Sequence, residues 1–215
     1  MSRDRIKNDK YFEEYIIEQN KRISKFQLVA NQQEDIEKKN KLYRIVANLQ
    51  KDLFSAKYSI GANIEELRRV FDEYLDSLKN TSVSDYEELV DLISIGILLD
   101  TDINNIINKC DLSLKRDGLV EALLNGGKIG SMPLLFEDYY SPFYMYLKKE
   151  KDISYLEEYI ENSWYSNSAE FSWYDSDTSK ENVYVGYWCW IAAAVVKLRR
   201  YKVNNKINYI PVDLL

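Results

Sequence analysis

Val183-Tyr184-Val185-Gly186-Tyr187-Trp188-Cys189-Trp190-Ile191-Ala192-Ala193-Ala194-Val195-Val196 runs without a charge and is closed by Lys197-Leu198-Arg199-Arg200. A membrane span needs about twenty apolar residues, so a run of this length predicts a helix buried in a protein core. Tyr184, Trp188, Ile191, Val195 and Leu198 fall on one stripe at helical spacing, with Val185, Cys189, Ala192 and Val196 on a second beside it. A helix apolar nearly all round is one enclosed by others. Gly186 and Ala192 to Ala194 let neighbours approach closely. Thr178-Ser179-Lys180-Glu181 has the capping-box form that starts a helix, and the basic residues at the end suit its negative pole.

The chain before this run reads as helices as well. Phe12, Ile16, Ile23, Phe26 and Ala30 give a long amphipathic helix from Tyr11 to about Gln32, in which Gln19 interrupts the apolar spacing. A second helix spans about 35–58 with Ile36, Tyr43, Val46, Leu49 and Leu53 inward, and Gly61 stops it. Asn63 opens a third, whose inner line is Ile64, Leu67, Phe71, Tyr74 and Leu78. Short turns between long helices predict an antiparallel bundle. Ser84 with Glu87 has the capping-box form for a helix to about Leu99, with Tyr86, Leu89, Val90, Ile93 and Ile97 inward. Shorter helices are expected at 102–109 and 113–124.

Three of the seven glycines lie in 125–133, which sets the expected boundary between an N-terminal subdomain, 1–125, and a C-terminal one, 126–215. That segment lacks the spacing of a phosphate-binding loop, because Ile129 follows Lys128. Phe136 to Pro142 reads as an exposed acidic and aromatic connector, with Pro142 at the first position of the next helix. Ser154 and Glu157 cap a helix to about Trp164. Residues 166–179 are the least regular stretch, and Tyr209 to Val212 is expected to pack back in extended form. The fold class expected is all-α: a multi-helix bundle, its N-terminal long-helix subdomain packed on a C-terminal helical subdomain with a central buried helix.

The chain of 215 residues contains no histidine. That removes Ser-His-Asp and Cys-His catalysis and any imidazole-bound zinc or haem. Cys110 and Cys189 have neither metal spacing nor a disulfide pattern. Asp100 with Asp102, and Asp175 with Asp177, bring carboxylates close in sequence, but neither pair has the spacing of a calcium loop. No enzyme, cofactor or metal is expected, although a carboxylate-metal hydrolase is the reading these pairs leave open. The N-terminus mixes charges without an apolar core, so no signal peptide is expected and the cytoplasm is the expected location.

Net charge is −6, concentrated in two blocks: −8 over residues 65–102 and −7 over 137–181. Acidic surface repels phosphate backbones and attracts basic proteins. The basic groups Lys38-Lys39-Lys41-Arg44 and Lys197-Arg199-Arg200-Lys202 are short and read as helix-end or surface charge, so no nucleic acid and no membrane partner is expected. Carboxylates beside aromatic rings have the composition of a protein interface. The candidate partner-binding residues are Glu137, Asp138, Glu170, Trp173, Asp175 and Asp177, with the acidic face of 65–91 as the alternative.

Tyr184-Val185-Gly186-Tyr187-Trp188, then Ala192 to Lys197 and a closing Tyr209-Ile210-Pro211-Val212-Asp213-Leu214, resemble the C-terminal half of the PoNi family, bacterial immunity proteins of polymorphic nuclease effectors. Tyr11-Phe12-Glu13-Glu14-Tyr15-Ile16 with Asn20-Lys21-Arg22-Ile23 is similar to the family's first helix. The resemblance implies an all-helical protein that binds a cognate DNase toxin delivered by a secretion system between competing bacteria. Two departures stand out: Ile191 where the family usually has a glutamate, and Arg199-Arg200-Tyr201-Lys202 where an acidic turn is common. A helical adaptor with a non-toxin partner is the competing expectation, and a homodimer stays open.

Overall fold

The computed structural model describes residues 2–83, 85–203 and 207–215. The described residues form helices and turns, with no strand among them. They divide into two compact units, Met1–Ser82 with Asp175–Gly186, and Val83–Tyr174 with Tyr187–Leu215. The glycine-rich segment 125–133 therefore lies inside the second unit.

The first unit is built on α1 (Asp9–Gln32), α2 (Ile36–Ile60) and α3 (Ile64–Leu78), with α2 packed on both of the others. Each start is specified by a side chain that satisfies orphan amides: Asn8 accepts from Tyr11 N, Asp35 from Glu37 N and Lys38 N, and Asn63 from Glu66 N. Gly61 ends α2 at φ 95, a left-handed position that favours glycine. The core holds Phe12, Val46, Leu53, Leu67, Phe71 and Tyr74. Gln19 fills its place in the apolar row, fully buried, because its Nε2 donates to Leu49 O at 3.1 Å and its Oε1 accepts from Arg22. Ile36 and Ile64, expected inward, are exposed, since both sit in the first turn of their helices.

In the second unit α4 (Tyr86–Leu99) is buried over most of its surface, and α11 (Trp190–Leu198) packs along it. Between them in sequence come α5 (Asn104–Ile107), α6 (Leu112–Lys115), α7 (Gly118–Leu124), α8 (Glu137–Leu147), α9 (Ile153–Tyr159) and α10 (Tyr165–Asn167). A π turn at Ile160–Trp164 joins the last two. Asp85 caps α4 by accepting from Glu88 N; the expected cap, Ser84, lies outside the described residues. Asp152, not Ser154, caps α9. Pro142 is inside α8, which begins five residues earlier than its proline suggests.

The charge-free run is only half a helix. Residues 183–189 are not helical, and α11 starts at Trp190. Gly186 has φ 105, which no continuous right-handed helix accommodates. Tyr184 is buried in the first unit, where its amide donates to the Tyr11 hydroxyl, that hydroxyl donates to the Tyr184 carbonyl, and the Tyr184 hydroxyl donates to Asp4 at 2.5 Å. In the second unit Cys189 N donates to Tyr209 O at 2.7 Å, so the C-terminal segment packs back as its sequence suggests, but not in extended form: it bends at Tyr209, φ 66, and ends in a 3-10 turn at Val212–Leu214. The expected capping box at Thr178 is instead the end of a 3-10 turn, Ser176–Thr178.

The basic residues that close α11 serve its neighbours. Lys197 Nζ donates to Leu98 O at the end of α4 and pairs with Asp100, while Arg199 donates to Tyr146 O near the end of α8 and covers the Tyr146 ring. Cations at these C-terminal poles satisfy carbonyls that the helices leave open. Ile191 is 4% exposed in the first turn of α11.

Candidate functional site

In the second unit, the first turns of α4 and α8 border a groove of about 830 Å³. Its floor and walls include Tyr86, Leu114, Leu135, Phe136, Tyr140 and Phe171. Four carboxylates line it, Asp85 at the cap of α4, Glu87 in its first turn, and Glu137 and Asp138 from α8, and no lysine or arginine does so among the described residues. Both acid pairs occupy helix N-terminal turns, where negative charge offsets the positive pole. The two acidic blocks of the sequence thus meet here, and the connector expected at Phe136 to Pro142 is the start of α8, with Tyr140 buried.

A buried carboxylate fixes the groove's shape. Asp117 Oδ1 accepts from Leu119 N and Val120 N, capping α7, and from the Tyr86 hydroxyl at 2.7 Å; Oδ2 accepts from Leu135 N at 2.7 Å. One side chain therefore ties α4, α7 and the segment leading to Phe136. Gly118 N donates to Pro133 O, and a Cβ at Gly118 would stand 2.5 Å from Met132 O, so only glycine permits this approach. The Tyr86 and Phe136 rings then meet with centroids 4.0 Å apart. Burial pushes the hydroxyls of Tyr86, Tyr139 and Tyr140 to higher pKa, helped at Tyr86 by its bond to Asp117. These phenols stay neutral, and the groove takes its charge from carboxylates.

The six residues singled out by sequence fall in both units. Glu137 and Asp138 are exposed and line the groove. Trp173 is half-buried: its ring stacks on Trp164 and Phe171, and Nε1 donates to Glu87 at 2.8 Å. Glu170 is exposed on the turn before it. Asp175 and Asp177 belong to the first unit, in a turn where Thr178 donates to the Asp175 carbonyl and Lys7 Nζ to that of Asp177. Asp85 and Glu87 belong to the acidic face of 65–91 expected as the alternative, whereas nothing in the sequence singles out Tyr86 or Asp117 for the groove. The spacing of Asp85 and Glu88, a capping form one residue beyond Ser84 and Glu87, is the sequence signal for this start of α4.

Among the described residues no three His, Cys, Asp or Glu side chains gather as a metal site. Asp102 accepts from Asn104 N, a turn contact, and Asp100 pairs with Lys197. No helix among the described residues is long and apolar enough to cross a membrane.

Comparisons with curated proteins and with solved structures returned no match. Two family models do match: PoNe immunity protein (PoNi), N-terminal, over residues 3–108, and PoNe immunity proteins (PoNi), C-terminal, over residues 117–214. They span nearly the whole sequence, and the second begins at the buried carboxylate that shapes the groove. With both halves matched on an all-helical body, the chain belongs to the PoNi family of immunity proteins.

Proposed function

We propose that this immunity protein neutralises a DNase toxin in the cytoplasm by setting acidic surface against the basic cleft with which the toxin holds DNA. A nuclease must attract phosphate, so its active cleft carries positive potential, and an acidic inhibitor is steered to it quickly. The observation that carries the reading is the groove, where carboxylates from both acidic blocks stand over aromatic walls and no lysine or arginine is among the described lining residues. Glu137 and Asp138 are its contact residues, with Trp173 positioning Glu87; Glu170, Asp175 and Asp177 extend the acidic surface in their own units. The protein acts by binding and contributes no catalytic group.

Co-expression with the toxin gene beside this one tests the proposal. Cells carrying both genes are expected to survive and to keep intact chromosomal DNA, whereas toxin alone degrades it. Killing undiminished by abundant, folded immunity protein would sink the reading.

A further inference from the structure

We infer that the groove between the first turns of α4 and α8 receives an arginine-bearing segment of the toxin, with guanidinium groups set between the carboxylates and against the aromatic walls. This rests on the reading of the chain as a nuclease inhibitor and names what that inhibitor grips. Volume is the first argument. About 830 Å³ is far more than one ion fills and lies in the range of pockets that take a ligand much larger than an ion.

Charge is the second. Asp85, Glu87, Glu137 and Asp138 surround the opening, and the phenols beside them are held neutral by burial. A helix N-terminus ordinarily favours an anion, but Glu137 and Asp138 already occupy that pole of α8, so phosphate or a carboxylate ligand is repelled.

The walls choose between the two cations. Phe136 is 44% exposed and lies on Tyr86, and Phe171 meets Tyr139 with centroids 4.7 Å apart. A planar guanidinium stacks on such faces while forking its donors to carboxylates; a lysine ammonium is more strongly hydrated and does neither as well. The site is also formed in advance. Asp117 anchors the Phe136 segment and Trp173 holds Glu87, so little ordering is left for the moment of binding.

The test uses the full-length protein and the catalytically inactivated nuclease domain encoded by the neighbouring gene, with binding measured by calorimetry at two salt concentrations. Glu137→Lys with Asp138→Lys is expected to weaken binding on the order of 100-fold. The neutral pair Glu137→Gln with Asp138→Asn, which spares the fold if lysines disturb α8, is expected to lose about tenfold and much of the salt dependence. Asp72→Lys with Glu73→Lys on α3 is expected to bind as wild type. A short Arg-Gly peptide should compete with the nuclease better than its Lys-Gly counterpart. No binding by the wild type removes the functional reading itself. Wild-type binding that survives both groove variants, or falls instead with the α3 pair, overturns this inference, as does equal competition by the two peptides.

Discussion

The Tyr86 hydroxyl donates to Asp117 Oδ1 at 2.7 Å, and that bond joins the first turn of α4 to the cap of α7 inside a buried cluster. Asp117 is fully buried, yet it accepts four hydrogen bonds, three of them from backbone amides. Asp117→Asn puts an amide NH₂ where one acceptor oxygen stands, leaving at least one buried donor facing another. A loss of about 1–3 kcal/mol in urea-unfolding stability is expected. Tyr86→Phe is expected to cost about 1 kcal/mol, and the double variant less than the sum, because the two changes share one bond. Strict additivity in that cycle would mean the bond carries no coupling.

Two glycines of the second unit, Gly118 and Gly130, differ in what a methyl group would meet. At Gly118 the obstacle is the backbone oxygen of Met132 at 2.5 Å; at Gly130 it is the end of the Glu121 side chain, which can swing away. Gly118→Ala is expected to destabilise by about 2 kcal/mol and to loosen the Phe136 segment. Gly130→Ala is expected to cost about 1 kcal/mol or less, even though Glu121 also accepts from Met132 N. Thermal unfolding of the two variants side by side reads the order, and a reversed order would contradict this geometry.

How much of this was legible in the chain depends on the range of the contacts. Asp35, Gly61 and Asn63 mark helix ends through bonds to residues two to four positions away, so α2 and α3 could be read nearly to the residue. Gln19 could not be read as core, because its partner Leu49 is thirty residues distant. The groove was hidden for the same reason. Tyr86 and Leu135 are joined through the Asp117 bonds, 31 and 18 residues from that carboxylate, whereas Glu137 and Asp138 announced themselves by composition.

Asp52 on α2 sets a dependence on pH. Burial lifts its carboxyl from an ordinary 3.8 to about 6, with Lys51 and Arg22 pulling it only partly back; Tyr15, in the same surroundings, is raised as well. The folded protein therefore binds this proton more tightly than the unfolded chain does between those two values. Stability from the protonated form is complete below 3.8 and is lost as pH rises through about 6. Asp52→Asn removes that dependence. The variant is expected to gain on wild type as pH climbs from about 4 to 7, by up to about 3 kcal/mol. Urea midpoints across that range measure the gap, and a gap that does not change with pH would refute the assignment.

Gly186 separates two descriptions of the charge-free run by sign. In a helix, glycine is worse than alanine by about 1 kcal/mol, so Gly186→Ala would stabilise a helix running from Val183 to Val196. At φ 105 the opposite holds, because an alanine Cβ crowds its own backbone there and the strain is on the order of 1–3 kcal/mol. The surroundings leave little room for the chain to choose another conformation. Immediately before Gly186, the Val185 carbonyl accepts from Ser59 Oγ at 2.7 Å and the Tyr184 amide is held by Tyr11. Gly186→Ala is therefore expected to lower the unfolding free energy by about 1–3 kcal/mol, while far-UV circular dichroism of the folded variant gains no helix. A stabilised variant with increased helicity would restore the continuous helix that the apolar run suggests.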